Sequence, residues 1–150
     1  MMVRRKDDRA AFRKYGIHIK LGIKMIERLF ANTVYIKIFL NRIELKHVES
    51  GKVVVEVPQK PFATQRLLVG NFTSASETLN RGMKKLYQGR FFAPKPIVVI
   101  QPMEKTEQGL SEVEDRVLRE LAADSGARKV TVWLGRELTD PEVIAGVRRV

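Results

Sequence analysis

Side chains suited to chemistry are scarce in this sequence of 150 residues. It has no cysteine, which excludes disulfides, zinc–thiolate sites, iron–sulfur clusters and thiol catalysis. Its two histidines, His18 and His47, would need carboxylate partners to hold a metal ion, and the spacing of the acids suggests no such set. We therefore expect neither a metal site nor thiol chemistry.

The motifs of common enzyme classes are missing as well. The sequence has no Walker loop, no Gly-x-Gly-x-x-Gly fingerprint and no Gly-x-Ser-x-Gly nucleophile turn. Glu44 is interpreted as a solvated charge on a strand, which leaves two-metal chemistry without a ligand set. Tyr35 and Trp133 are expected to pack in a sheet rather than stack on bases, and His47 is expected on a half-exposed strand.

Positive charge is a strong compositional signal, and it is concentrated near the N-terminus. The net charge is +11, and residues 1–31 hold nine basic and three acidic side chains. Such an arm favours a polyanionic partner, which can be an anionic membrane surface, nucleic acid or an acidic protein, although simple solubility is an alternative explanation. The basic residues are Arg4, Arg5, Lys6, Arg9, Arg13, Lys14, Lys20, Lys24 and Arg28.

Tyr15–Phe30, within this arm, fits two patterns. An alternation of apolar residues suits a half-buried strand, whereas Ile19, Ile23, Ile26 and Phe30 follow the spacing of one helical face. We favour a helix, because its charged residues collect on the opposite side. Such a helix can lie in a membrane interface, or it can pack on the domain with its charges in water, which is the simpler interpretation.

Beyond the arm, the apolar pattern predicts three strands and then alternating helices and strands. Strands are predicted at Thr33–Leu40, Arg42–Val48, Lys52–Val57, Ile97–Ile100 and Lys129–Leu134, and helices at Ser74–Gly89, Leu110–Ser125 and Asp140–Val147. Gln59–Asn71 fits either a loop or a short strand. Ile97–Ile100 shows no alternation, which is typical of a strand covered on both faces.

The two long helices carry boundary signals. Ser111 and Glu114 form a capping-box pattern at the start of the second, and Gly126 follows its end. A serine cap, Ser74 or Ser76, is predicted for the first. The predicted buried stripes are Leu79, Met83 and Leu86 in the first helix and Leu110, Val113, Val117, Leu118 and Leu121 in the second.

This order of elements, α-β-β-β-α-β-α-β-α, predicts an α/β protein. A β-meander followed by βα crossovers gives a mixed five-stranded sheet with helices on its faces. We expect a basic amphipathic arm at residues 1–31 and a single domain at residues 32–150. No apolar run approaches the roughly 20 residues of a membrane-spanning helix, and the N-terminus lacks a secretory signal. A cytoplasmic protein, or one peripheral to the inner face of the membrane, is expected.

One stretch of the chain also resembles a known family. Ile97–Pro102, Glu112–Glu120 and Gly126–Val130 are similar to the N-terminal part of the bacterial actin homologue MreB, in the actin/Hsp70 superfamily. That family has an apolar strand ending in proline, a Thr-x-Val-Glu-Arg-Arg helix start and a Gly-Ala-Arg-Glu-Val segment. A vaguer likeness covers residues 33–135. The resemblance implies an RNase H-like half of an actin fold.

The departures from that family concern nucleotide chemistry. Actin-like ATPases have an Asp-x-Gly-Thr phosphate loop between their first two strands, whereas Ile38–Arg42 contains no Asp, Gly or Thr. The family's Glu-Pro is replaced by Trp133–Arg136, and the loop Met103–Leu110 is longer. Glu114 matches the family glutamate implicated in nucleotide hydrolysis, and it is the single cofactor-binding candidate. We favour a capping role for Glu114, and we do not expect ATP or Mg²⁺ as cofactors.

These observations lead to the hypothesis of a non-catalytic MreB-like or actin-like module. We expect a scaffold or interaction protein linked to bacterial cell shape or the envelope, without catalytic or metal-binding residues. Its expected partner is another protein or a second copy of the chain, and an anionic membrane surface is a further candidate. Two alternatives stay open: a nucleic-acid-binding protein that uses the basic arm, and a degenerate actin-like protein that binds nucleotide weakly.

Overall fold

The computed structural model describes residues 32–90 and 93–146, together with Gly22. The chain divides into two units, Met1–Ala31 and Asn32–Val150, and the second is the domain described below. Apart from Gly22, the predicted helix at Tyr15–Phe30 lies outside the described residues, and so do all nine basic residues of the arm.

In the described part of the chain, five strands form one mixed sheet in the spatial order β3-β2-β1-β4-β5. They are β1 (Thr33–Phe39), β2 (Arg42–His47), β3 (Lys52–Glu56), β4 (Ile97–Pro102) and β5 (Lys129–Val132). The first three pair as an antiparallel meander, whereas β4 pairs in parallel with both β1 and β5. The predicted α/β class with a mixed five-stranded sheet is therefore confirmed. Gln59–Asn71, which fitted a loop or a strand, is a loop.

The described part of the chain contains three helices of more than one turn, α1 (Phe72–Leu86), α2 (Glu112–Asp124) and α3 (Asp140–Ala145). The serine cap predicted for α1 is wrong, because the N-cap residue is Asn71, which makes no side-chain capping bond. The two serines lie inside the helix and bond elsewhere. Ser74 Oγ donates to the Lys60 carbonyl, and Ser76 Oγ donates to the Asp124 carboxylate of α2.

Helices cover both faces of the sheet. The main core lies under α1 and α2, where Leu79, Met83 and Leu86 are buried as predicted. On the other face, Tyr35 and Val99 pack with Leu138 and with Val143 of α3, and Trp133 packs against this cluster. The sheet-packing role predicted for Tyr35 and Trp133 is therefore confirmed. The β4 strand is buried on both faces, as its unbroken apolar run predicted.

The α2 helix has the predicted cap and a narrower buried stripe. Leu118 and Leu121 are buried, and Leu110 and Val117 pack partly against the core. Val113, however, is 71% exposed, so its predicted burial is wrong. Val113 belongs to the first turn of α2, which lines an open groove rather than the sheet.

Candidate functional site

The parallel pairing of β1 with β4 brings the carboxyl ends of both strands to one edge of the sheet. In open α/β sheets, ligands bind in the crevice outside the carboxyl ends of the strands. Three segments meet at this edge: the turn between β1 and β2, the loop between β3 and α1, and the start of α2. We therefore take this edge as the candidate site.

A two-residue turn, Leu40-Asn41, joins β1 to β2 at this edge. Asn41 has a φ of 51°, in the left-handed region that asparagine tolerates better than most residues. Its Oδ1 atom accepts hydrogen bonds from the backbone N–H groups of Phe62 and Ala63, both at 2.9 Å. The Leu40 N–H donates to the Glu104 carboxylate. The turn is thus fastened to two neighbouring loops.

An apolar groove of about 120 Å³ lies between the β3–α1 loop and α2, and we call it the α2 groove. The volume is close to the roughly 150 Å³ of a cavity that holds benzene, and far below the roughly 300–1,000 Å³ of typical ligand pockets. The groove therefore has room for one apolar side chain of a partner. Its lining residues are Leu67, Leu68, Val69, Pro102, Glu104, Lys105, Leu110, Ser111, Val113, Glu114, Val117 and Leu118.

Glu114 lies on the wall of the α2 groove and takes part in the helix cap. Its Oε2 atom accepts hydrogen bonds from the Ser111 hydroxyl at 2.7 Å and from the Ser111 N–H at 2.9 Å. These two bonds hold the pKa of the Glu114 carboxyl below its usual range, against a weaker opposing effect of burial. The carboxylate is therefore ionised at neutral pH, beside the positive end of α2.

A polar cluster that the sequence analysis missed lies at the far end of β2. His47 is only 3% exposed, so its predicted half-exposed position is wrong. The residue shares the buried face of the strand with Ile43 and Leu45. The alternation of buried and partly exposed residues along β2 could have predicted the burial of His47, but the polarity of histidine favoured a position nearer the solvent.

The His47 imidazole is held by neighbours from the following turn and from the segment after α1. Its Nδ1 atom lies 2.8 Å from Ser50 Oγ, and its Nε2 atom lies 3.0 Å from Arg90 Nη1 and 3.6 Å from Glu49 Oε2. Burial and the charge of Arg90 lower the pKa of His47, and they outweigh the opposite effect of Glu49. His47 is therefore neutral at pH 7, in a cluster that also contacts Tyr87 edge-on.

Glu44 forms an ion pair rather than standing as a solvated charge. Lys37 Nζ lies 2.7 Å from Glu44 Oε1 and 2.6 Å from Glu137 Oε1. The predicted solvation of Glu44 is wrong because Lys37 is its directly opposite partner in the β1–β2 register. Within the described residues, no group of three or more His, Asp or Glu side chains has a geometry that could hold a metal ion.

Comparison with known proteins identifies a relative of the chain. Over 103 residues it is 31% identical to the uncharacterized protein YjaA of Escherichia coli (strain K12), in an alignment that covers 65% of this chain and 80% of YjaA. The chain belongs to the YjaA family. No family model matches the sequence. YjaA is uncharacterized, so this relationship assigns no activity to the chain. None of the helices in the described ranges has the length and hydropathy needed to cross a bilayer.

Proposed function

We propose that this chain is a non-catalytic actin-like module of the MreB type, a scaffold or interaction protein linked to bacterial cell shape or the envelope. The finer fold assignment, an RNase H-like half of an actin fold, belongs to the same proposal. The strand order β3-β2-β1-β4-β5 supports it, as does the passage from an antiparallel meander to parallel strands joined through helices.

The observation that carries the proposal is the turn between β1 and β2. An actin-like phosphate loop at this position would offer free backbone N–H groups to a phosphate. Here the Leu40 N–H is bound by the Glu104 carboxylate, which would repel a phosphate. The Asn41 side chain is bound to the N–H groups of Phe62 and Ala63. The turn therefore serves to join loops, which supports the loss of nucleotide binding.

The α2 groove supports the interaction role. Val113 and Leu67 are 71% and 40% exposed at its border, although both are apolar. Apolar side chains exposed around a preformed groove are typical of interaction sites. In this proposal, an apolar side chain of a partner protein or of a second copy fills the groove.

Calorimetric titration of the purified protein with Mg-ATP tests the proposal. We expect no saturable heat and no shift of the melting temperature with Mg-ATP or Mg-ADP, because the Leu40 N–H is bonded to the Glu104 carboxylate and the Asn41 side-chain oxygen is bonded to the neighbouring loop. Saturable binding would contradict the proposal and would favour the degenerate nucleotide-binding protein instead.

The basic arm is proposed to hold the protein at an anionic membrane surface, which would make it peripheral to the inner face of the membrane. The nine basic residues among the first 31 support this. Each is worth about 1 kcal/mol near such a surface. Replacing Arg4, Arg5, Lys6 and Arg9 by glutamine should therefore weaken sedimentation with phosphatidylglycerol vesicles by at least about tenfold.

Neutral phosphatidylcholine vesicles are the control for the membrane experiment. Equal retention of the full-length chain and the glutamine variant would contradict the membrane part of the proposal. Binding to duplex DNA that falls steeply with salt, without vesicle binding, would favour the nucleic-acid alternative.

A further inference from the structure

The β3 strand lies at the edge of the sheet, and within residues 32–90 and 93–146 its outer side has no partner strand. Val53, Val55 and Val57 are 48%, 51% and 62% exposed. The alternate residues Val54 and Glu56 are turned to the opposite face, where Val54 packs on the main core and Glu56 pairs with α1. An open edge beside a row of apolar side chains is suited to pairing with another strand.

The α1 side of the same strand is strongly basic. Lys52 Nζ donates to the Lys85 carbonyl at 2.7 Å, and Arg81 Nε lies 2.8 Å from Glu56 Oε2. Lys85 also pairs with Glu56, and Lys84 is exposed beside it in the last turn of α1. Two of these cations, Arg81 and Lys85, pair with the buried Glu56 carboxylate. Lys52 and Lys84 add two further positive charges, with no paired acid among the described residues. The border of the edge strand carries an excess of positive charge.

We propose that the β3 edge binds an extended acidic segment of a partner protein, in which apolar and acidic residues alternate. Because side chains alternate between the two faces of a strand, the apolar ones would contact the valine row. The acidic ones would lie on the opposite face, near Lys52, Arg81, Lys84 and Lys85. Main-chain hydrogen bonds to the open edge supply affinity in this mode, and the alternating side chains supply specificity.

A second copy of the chain suits this edge less well. Antiparallel pairing of two β3 strands about Val55 would align the valine rows, since a twofold axis pairs like surfaces. It would also place both α1 helices on the same face of the continuous sheet. Lys85, at the Lys52 end of β3 in one copy, would then approach Arg81, at the Val57 end in the other, and like charges across an interface oppose association. Charge therefore favours an acidic strand over a second copy.

The inference rests on the proposed function in one respect, since it treats the domain as an interaction module. It uses a different surface from the α2 groove and from the β1–β2 turn. Titration with Mg-ATP decides the nucleotide question, and the strand experiment below decides this one. Either proposal can therefore fail while the other stands.

The test is binding of the full chain to a synthetic peptide of four Glu-Val repeats, followed by fluorescence anisotropy and by amide chemical shifts. The matched control peptides are four Lys-Val repeats, which reverse the charge, and four Glu-Ser repeats, which remove the apolar row. We expect the Glu-Val peptide to bind at least about tenfold more tightly than either control, with shifts confined to β3 and the last two turns of α1.

Two pairs of variants locate the surface. Lys84→Glu should weaken binding by about threefold to tenfold, whereas Lys129→Glu, at an exposed lysine on the opposite edge strand, should leave it unchanged. Val55→Thr should weaken binding by about twofold to fivefold, and Val113→Thr, at an exposed valine of α2, should not. Both valine changes are close to isosteric, so the fold should persist.

Several results would overturn the inference. These are equal binding of the Lys-Val peptide, shifts confined to β5 or the α2 groove, and no binding of the Glu-Val peptide at millimolar concentration. If light scattering shows a dimer, and if Val55→Thr dissociates that dimer, the β3 edge binds a second copy of the chain instead.

Discussion

Replacing Asn41 by alanine tests the interpretation of the β1–β2 turn directly. The Asn41 oxygen accepts two hydrogen bonds of 2.9 Å, from the N–H groups of Phe62 and Ala63, and the Phe62 side chain is fully buried. Both bonds are partly buried, so each unsatisfied donor should cost about 1 kcal/mol. The φ of 51° should add about 1 kcal/mol for alanine. Asn41→Ala should therefore lower the free energy of unfolding by about 3 kcal/mol.

Urea denaturation followed by circular dichroism at pH 7 measures this loss. Two further variants at Asn41 separate its causes. Asn41→Gly removes the acceptor without backbone strain and should cost about 2 kcal/mol, whereas Asn41→Asp keeps an acceptor and should stay within about 1 kcal/mol of the native chain. If Asn41→Ala costs less than about 1 kcal/mol, the side chain does not fasten the turn. The main argument against a phosphate site would then fail.

Stability should fall as the pH is lowered from about 7.5 to 5.5, because the folded-state pKa of His47 is depressed by burial and by Arg90 below the usual 6.5. The unfolded chain then takes up the proton first, so the free energy of unfolding should change with pH with a slope of at most about 1.4 kcal/mol per pH unit. Urea denaturation should show a smaller slope in His47→Gln. An unchanged slope would contradict this. Gly82→Ala should destabilise the domain by about 1 kcal/mol despite better helix propensity, because its Cβ would lie 2.6 Å from Leu45 Cδ1. Thermal melts should show a smaller penalty in a Leu45→Val background, and equal penalties would refute the proposed clash. Glu114→Gln should cost less than about 0.5 kcal/mol and Glu114→Ala about 1 kcal/mol, since glutamine also serves in a capping box. Equal losses in urea denaturation would count against the capping role.

The strands and the α2 cap were predictable because the signals that specify them are local. Alternating apolar residues define β1 and β2, and an unbroken apolar run defines β4. The capping box of Ser111 and Glu114 spans a single helical turn, and both of its hydrogen bonds form. Each signal lies within a few residues of the feature that it predicts, so no knowledge of the partner elements was needed.

The parts of the site that escaped prediction depend on partners far away in sequence. Asn41 is a turn residue in the sequence, but its bonds are to backbone groups more than 20 residues away. Glu44 is paired because the register places Lys37 opposite it and the chain returns Glu137 to the same place. The basic border of β3 exists because α1 crosses back over the strand and brings Arg81 to Glu56. Charge counts along the chain cannot reveal such groupings.

The likeness of Glu114 to the MreB glutamate has two physical explanations, a role in the helix cap and a role in nucleotide hydrolysis. The second requires more of the surrounding residues than the first. A glutamate three residues after Ser111 is fully explained by the helix start, because its carboxylate accepts from both the backbone and the hydroxyl of that residue. A role in hydrolysis requires in addition a bound phosphate at the neighbouring edge of the sheet. The groups that meet there are the Glu104 carboxylate, which accepts from the Leu40 N–H, and the Asn41 amide oxygen, which accepts from the N–H groups of Phe62 and Ala63, so three backbone donors at this edge are already bonded. The match at Glu114 is therefore better evidence for a shared helix start than for shared chemistry, and the β1–β2 turn is the place where nucleotide binding has to be tested.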